Sequence, residues 1–287
     1  RAPGDSHSLF MKKGIRPLFK WFGSKWQAAP KYPEPKHDRI FEPFAGGAGY
    51  SLRYPDKRVT ICETDPNLQI LWPWLIHEAT ETLIREIPID IPVGTDIRML
   101  GLSTGQSYLL KTWQRTNNVG GCWTISPWGN EPGQWTANTR ARVAEEVYAI
   151  KHWKFEPDGL RVLRTAAELG SSTWFVDPMY MFNYQYNAAI GHDYEELGRL
   201  VRSLPGQTIV CEGADAKWLP FQQHADQATS LRLTAGATQR SPEVIWTART
   251  SRACGQCGHP FEARADARYC STRCRVAAHR RRAEGQR

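Results

Sequence analysis

DRIFEPFAGGAGYSLRYPDKRVTICETD, residues 38–65, is the stretch on which the fold turns. "DRIFEPF" has the apolar run of a strand, "GGAGYSLRY" turns it into a helix, and "RVTICE" is a second strand. "NLQILWPWLI" (67–76) follows as a second helix, completing a βαβα pattern. The pattern returns late in the chain: "STWFVDP" (172–178) reads as a strand, "DYEELGRLVRSL" (193–204) as an amphipathic helix and "GQTIVCE" (206–212) as another strand. Tyr194, Leu197, Leu200 and Val201 recur at helical spacing, and Pro205-Gly206 stops that helix. One parallel sheet shared by both segments is the economical solution, which predicts an α/β, Rossmann-like fold.

The rest of the chain divides around that sheet. Residues 11–75 and 166–228 form the two parts of the predicted core, and residues 76–165 read as an insertion. The insertion has a short helix near 79–87, the Pro-rich "IPIDIPVG" (87–94) and the Gly-, Trp- and Asn-rich "NNVGGCWTISPWGNEPGQWTANTR" (117–140). It carries Trp113, Trp123, Trp128, Trp135 and Trp153 among Arg115, Arg140, Arg142, Lys151 and Lys154, a mixture suited to gripping nucleic acid; a small local core of tryptophans is the alternative. Residues 229–250 are polar and aperiodic and read as a linker. Residues 251–287 are a separate basic module. Met11, followed by "KKGIRP", reads as a natural start, which leaves residues 1–10 outside the fold argument.

With 287 residues, a net charge of +8 and 41% hydrophobic content, the chain can bury one α/β core and carry a small appendage. The positive charge favours a polyanionic partner; a membrane surface would also suit it. No apolar run approaches the length of a membrane helix, and the N-terminus lacks a signal-peptide layout, so a soluble cytoplasmic protein, in a bacterial host or nucleoid-associated, is expected, with no membrane and no obligate protein partner. Seven cysteines, an odd number, argue against a secreted disulfide framework. Cys62, Cys122 and Cys211 stand alone, and the two in strand-like runs read as ordinary buried thiols.

The glycines after the first strand let backbone approach a ligand at a helix N-terminus with no Cβ in the way. The second strand ends in Glu63 and Asp65, where an acid can take the two hydroxyls of a ribose. The Gly-Lys-Ser/Thr ending of a P-loop is missing, which argues against nucleoside triphosphate hydrolysis and leaves a dinucleotide or a small adenosine ligand such as S-adenosylmethionine. Asp177-Pro178-Met179-Tyr180 ends the third strand. There the Asp177 carboxylate and the Pro178 carbonyl can point two acceptors at one pocket. An exocyclic base amine has two N–H donors and a lone pair delocalised into the ring; accepting both hydrogens frees that lone pair. Tyr180 offers a π-face for an extruded base.

"KWFGSK" (20–25), "FEPFAGGAGY" (41–50), "ICETDPN" (61–67) and "DPMY" (177–180), in this order, resemble the Dam-like DNA adenine-N6 methyltransferases, whose motifs read KWAGGK, FxGxG and DPPY. The later "GQTIVCEGADAKWLPF" is similar to the tail of phage-type members, and the resemblance spans about residues 15–225. It implies a Rossmann-like methyltransferase sheet, S-adenosylmethionine as cofactor, and double-stranded DNA as partner, with the target base flipped into the pocket and methylated by direct in-line transfer. Trp21 and Lys25 then match positions lining the cofactor pocket, Phe44 and Gly46 match the first fixed letters of FxGxG, and Glu63 matches the ribose-binding acid. Gly47 and Gly49 flank Ala48, which replaces the last glycine and could shift the turn by one residue. Asp177, Pro178 and Tyr180 match the catalytic motif, whereas Met179 replaces a proline and gives up stiffness at that turn. The resemblance places target recognition in 76–165. Transfer to cytosine N4 is the enzymatic alternative, and a catalytically silent DNA-binding relative the other.

The C-terminal module contains Cys254-x2-Cys257 and, after twelve intervening residues, Cys270-x3-Cys274. Two close pairs at hairpin separation fit tetrahedral zinc, and so short a segment has little apolar material to fold around without metal. Residues 251–287 hold nine arginines against three acids, a net +6 of the chain's +8, or +4 with zinc on four thiolates, as a second DNA contact would require.

Overall fold

The computed structural model describes residues 14–114, 121–181, 193–232, 238–248, 250–254, 256–257, 260–263, 268–269 and 271–284. The chain divides into two units, Arg1–Trp246 and Thr247–Arg287.

The first unit is built on a sheet of seven strands: β1 (Arg39–Glu42), β2 (Arg58–Cys62), β3 (Lys154–Glu156), β4 (Ser172–Val176), β5 (Gly206–Gly213), β6 (Gln222–Arg232) and β7 (Thr238–Thr247). Their order is β3-β2-β1-β4-β5-β7-β6. The β1–β2, β1–β4, β2–β3 and β4–β5 pairs are all parallel, and β6 and β7 pair antiparallel. Up to β5 this is the doubly wound order, all parallel, with the reversal of strand order falling between β1 and β4. Ligands collect at the carboxyl ends of the strands at such a point.

Residues within a strand alternate between the two faces. Ile40, Ile61, Phe175, Ile209 and Cys211 join one core, and Phe41, Cys62, Trp174, Val176 and Val210 join the other. Both faces are covered, which is why these strands read as continuous apolar runs rather than as alternating ones. Helices α5 (Gly159–Arg164) and α6 (Tyr194–Arg202) cover the second core with Val162, Leu163, Leu197, Leu200 and Val201. Helices α1 (Pro66–Pro73), α2 (Glu81–Arg85), α3 (Thr104–Trp113) and α4 (Ala137–Glu146) cover the first.

Two expected boundaries are corrected. Residues 76–165 are not wholly an insertion. Ile84, Ile97, Leu109, Trp113, Trp135 and Val143 share one core with Ile40 and Ile61, and Lys154–Glu156 is a strand of the sheet. Residues 229–250 are not a linker: most of them lie in β6 and β7, so the core does not end at residue 228. Their polarity hid the strands, because period-2 alternation of apolar residues is the usual signal and is missing here.

The helix expected over "GGAGYSLRY" is a series of turns closed by a short 3-10 helix, Ser51–Arg53. Ala48 itself takes a left-handed conformation, φ 48°, as does Gly46, φ 48°, and that geometry interrupts a right-handed helix. The second predicted helix changes pitch at Pro73, where α1 passes into a π-helical turn, Trp74–Glu78. Proline has no N–H to continue the α ladder.

The second unit contains a hairpin of β8 (Thr250–Ala253) and β9 (Pro260–Ala263), paired antiparallel, and helix α7 (Thr272–Glu284). Among the described residues, no helix is long and apolar enough to cross a membrane.

Candidate active site

Asp177 follows the last residue of β4, at the carboxyl end of a central strand. Its Oδ2 accepts from the Lys25 ammonium at 2.8 Å, and its Oδ1 is buried with no hydrogen-bond partner. A buried acceptor without a donor costs free energy that a ligand N–H would recover. Lys25 also lies 3.8 Å from Glu243 Oε1, and its Nζ sits 4.9 Å from the centre of the Tyr180 ring. Glu243 Oε1 in turn accepts from the hydroxyls of Tyr32, at 2.7 Å, and Tyr180, at 2.8 Å. Cys211 of β5 completes the cluster, one ligand atom each of Asp177, Cys211 and Glu243 lying within 4.8 Å of the others.

Local sequence explains how Lys25 gets there. A Cβ on Gly49 would come 2.4 Å from the Trp26 nitrogen and 2.6 Å from that of Lys25, so only glycine lets the 24–26 backbone pass against the turn. Arg53 then clamps this segment, stacking 3.5 Å from the Trp26 ring centre and donating twice to the Trp26 carbonyl, at 2.7 and 3.0 Å. The glycine turn and the lysine are thereby one device.

Burial raises the Asp177 carboxyl to about 6, with the nearby Lys25 charge opposing the rise and Glu243 adding to it. Burial disfavours the Lys25 ammonium, yet Asp177 and Glu243 outweigh that effect and hold it protonated above its ordinary value. The Cys211 thiol is pushed well up by burial and by the two carboxylates, so it stays neutral. Asp177 keeps both oxygens as hydrogen-bond acceptors only when ionised, so any activity that uses it as an acceptor is expected to rise with pH through about 6, a limb that a pH–rate profile reads. Stability runs the other way: the folded chain holds this proton more tightly than the unfolded one, so stability falls as pH climbs from the ordinary carboxylate range toward 6.

Met179 does not leave its turn untethered. The Tyr194 hydroxyl donates to the Met179 carbonyl at 2.5 Å, and the Met181 N–H donates to Glu212 Oε1 at 3.3 Å. Glu212 is held by the Trp218 indole and the Gly213 N–H, both at 2.9 Å. Pro178 is buried beside Asp177. Past the turn, Met181, Asp215, Lys217 and Trp218 line an open groove of about 590 Å³.

The other predicted cofactor residues lie around the glycine turn. Glu63 Oε2 accepts from the Gly46 N–H at 2.8 Å, and Oε1 accepts from Thr64 and Asp65 at 2.8 and 3.0 Å. Burial raises its carboxyl, and these three donors pull it down. Trp21 packs on Gly46 and Gly47, where a Cβ at Gly46 would lie 2.6 Å from its ring. Asp65 caps α1, accepting from the Asn67 and Leu68 N–H groups, and Phe44 packs against the second core. The structure therefore brings Lys25, Asp177 and Tyr180 into one cluster, and Trp21, Gly46, Gly47 and Glu63 into another. It gives Asp65 and Phe44 local structural work.

Sequence reasoning missed Tyr32, Cys211 and Glu243. The one available signal was an acid beside the apolar run in "SPEVIWT" (241–247), which reads as a strand once its neighbours are known.

Most of the tryptophans and cations of 76–165 are spoken for within the fold. Trp113, Trp135 and Trp153 are buried, Arg140 donates to the Ile87 carbonyl, Arg142 pairs with Glu146, and Lys151 donates to the Leu75 carbonyl. Trp123 packs edge-on against Tyr108 under the Lys111 ammonium, while Trp128 is 60% exposed. Arg115 lies outside the described residues.

In the C-terminal unit the sulfurs of Cys254, Cys257 and Cys274 lie within 4.8 Å of one another and could hold a metal ion. Tetrahedral zinc, with Zn–S near ~2.3 Å, needs sulfurs this close. Cys270 lies outside the described residues. Arg273, Arg275, Arg280 and Arg281 are exposed on α7.

No family model matches this sequence, and no curated protein does. Among solved structures, a conserved hypothetical protein of Streptococcus pyogenes is similar at 9% identity and a TM-score of 0.34, over 76% of this chain and 89% of that one. A chain described as "Putative methyltransferase yhhF from Escherichia coli" is similar at 10% identity and a TM-score of 0.30, over 73% of this chain and 75% of that one. Likeness at this level carries no argument for function, which rests on the site alone.

Proposed function

We propose that the chain is a DNA methyltransferase that moves a methyl group from S-adenosylmethionine to adenine N6 in double-stranded DNA. The observation that carries this reading is the buried, unpartnered Oδ1 of Asp177 at the end of β4, in an Asp-Pro-Met-Tyr turn beside the Tyr180 ring. An exocyclic amine offers the N–H that this oxygen lacks, and its base offers the ring that Tyr180 can stack on.

The residues around the glycine turn fit the cofactor. Glu63 is fixed by three backbone donors at the end of β2, beside the switch point, with its second oxygen engaged only once, by Gly46. That oxygen has acceptor capacity left for a ribose hydroxyl. When bound, S-adenosylmethionine supplies a methyl group on a sulfonium as the electrophile. The protein's part is to position the amine, to accept its hydrogens at Asp177, and to exclude water by burying that carboxylate.

DNA contacts are assigned to the exposed arginines of α7, the exposed Trp128 and the groove with Lys217 and Trp218. The buried tryptophans of 76–165 are left out. Zinc is the metal proposed for Cys254, Cys257, Cys270 and Cys274.

The test is incubation of the full chain with radiolabelled S-adenosylmethionine and unmethylated genomic DNA, followed by nucleoside chromatography. Label in N6-methyladenine is expected. Label in N4-methylcytosine would keep the chemistry and overturn the base; cofactor and DNA binding without label would leave a silent DNA-binding protein.

A further inference from the structure

The Lys25 ammonium lies over the ring face that a stacked substrate base needs. It sits on Asp177 Oδ2 at 2.8 Å, leaving Oδ1 to the substrate amine, and over the Tyr180 ring at 4.9 Å, the π-face that the proposed function gives to the target base. A stacked base and an ammonium cannot share that face. Lys25 must therefore shift when a base enters, and an ammonium this buried, with 12% of its side chain exposed, needs another counter-charge within reach.

Glu243 is that counter-charge. Its side chain is 4% exposed, and its Oε1 is 3.8 Å from Lys25, so a displacement of about 1 Å converts a loose ion pair into a charge-assisted hydrogen bond. Three neighbours of Glu243 among the described residues leave its charge available to an ammonium. Tyr32 and Tyr180 are donors to the same oxygen, their hydroxyls kept neutral by burial and the nearby carboxylates. Cys211 stays a neutral thiol, and burial lowers the affinity of His224, stacked 4.9 Å from Tyr32, for a proton.

We propose that Glu243 is a positioning residue that receives the Lys25 ammonium when an amine-bearing base takes Lys25's place over the Tyr180 ring, while holding that ring in its stacking position. The proposal rests on the reading of the pocket as an amine-methylating site. It assigns a role to a strand, β7, that the four sequence motifs do not include.

The experiment is a double-mutant cycle in the full chain with Glu243→Gln and Lys25→Met, measured on unmethylated DNA. Glu243→Gln keeps an acceptor for both tyrosines and loses only the charge. It is expected to raise KM for DNA about ten- to a hundredfold while kcat changes less, the size of one lost hydrogen bond to a charged group. Glu243→Asp should restore part of the loss. In a Lys25→Met background the same change should have no effect on KM, because no ammonium is left to receive.

An equal loss with and without Lys25 would overturn the proposal. A second readout needs no turnover: in protein carrying isotope-labelled lysine, the Lys25 Nζ resonance should move on adding DNA in the wild type and stay put in Glu243→Gln. If the wild type transfers no methyl yet DNA still moves that resonance, the methylation reading fails and the lysine shift stands. A resonance that DNA leaves unmoved in the wild type sinks the shift itself. Should Glu243→Gln not fold, Glu243→Asp carries both measurements.

Discussion

Asp177→Ala is expected to lower kcat/KM for methyl transfer by about a hundred- to a thousandfold, the loss that follows removal of one preorganised hydrogen-bonding group from a reacting centre. The change deletes the orphaned Oδ1 and the Lys25 partner together. The fold should survive, because Lys25 keeps Glu243 within 3.8 Å and the turn keeps its anchors through Tyr194 and Glu212. A thermal melt alongside the kinetics separates the two. Activity within a factor of about three of wild type, in a protein that melts normally, would take Asp177 out of the chemistry.

Stripping metal from the C-terminal unit should erase its structure and leave the sheet unit intact. Structural zinc contributes about 10–16 kcal/mol in small cysteine modules, more than two four-residue strands and one helix can supply by apolar burial. Elemental analysis should find one zinc per chain. After chelation, amide exchange in β8, β9 and α7 should become fast while β1, β4 and β5 keep their protection; Cys257→Ser should do the same without chelator. DNA binding should weaken too, as the exposed arginines of α7 lose their scaffold. Unchanged exchange in a metal-free sample would refute the site.

Where the sequence was legible, it was because one element carried its own signal. β1, β2, β4 and β5 announce themselves as apolar runs because both their faces are buried, and α6 does so through Leu197, Leu200 and Val201. Asp177 and Tyr180 could be placed because strand-end residues in an open α/β sheet share an edge. β6 and β7 were illegible for the opposite reason: as largely polar strands at the margin of the sheet, they have no alternating apolar pattern over most of their length. With them went Glu243. The tryptophans of 76–165 show another limit, since composition cannot tell a ring that wedges a ligand from one that donates to Pro88 in the core, as Trp135 does at 3.0 Å.

The hydrogen bond from Tyr32 to Glu243 joins residues 211 positions apart. Closing so long a loop is slow, and its reward comes only once β7 has docked beside β5. A chain emerging from the ribosome thus displays the lysine at 25, the glycine turn and the Asp-Pro-Met-Tyr stretch well before Glu243 can dock among them. Synthesis of β7 acts as a timer on competence, and a fragment ending at 228 would leave the pocket without Glu243.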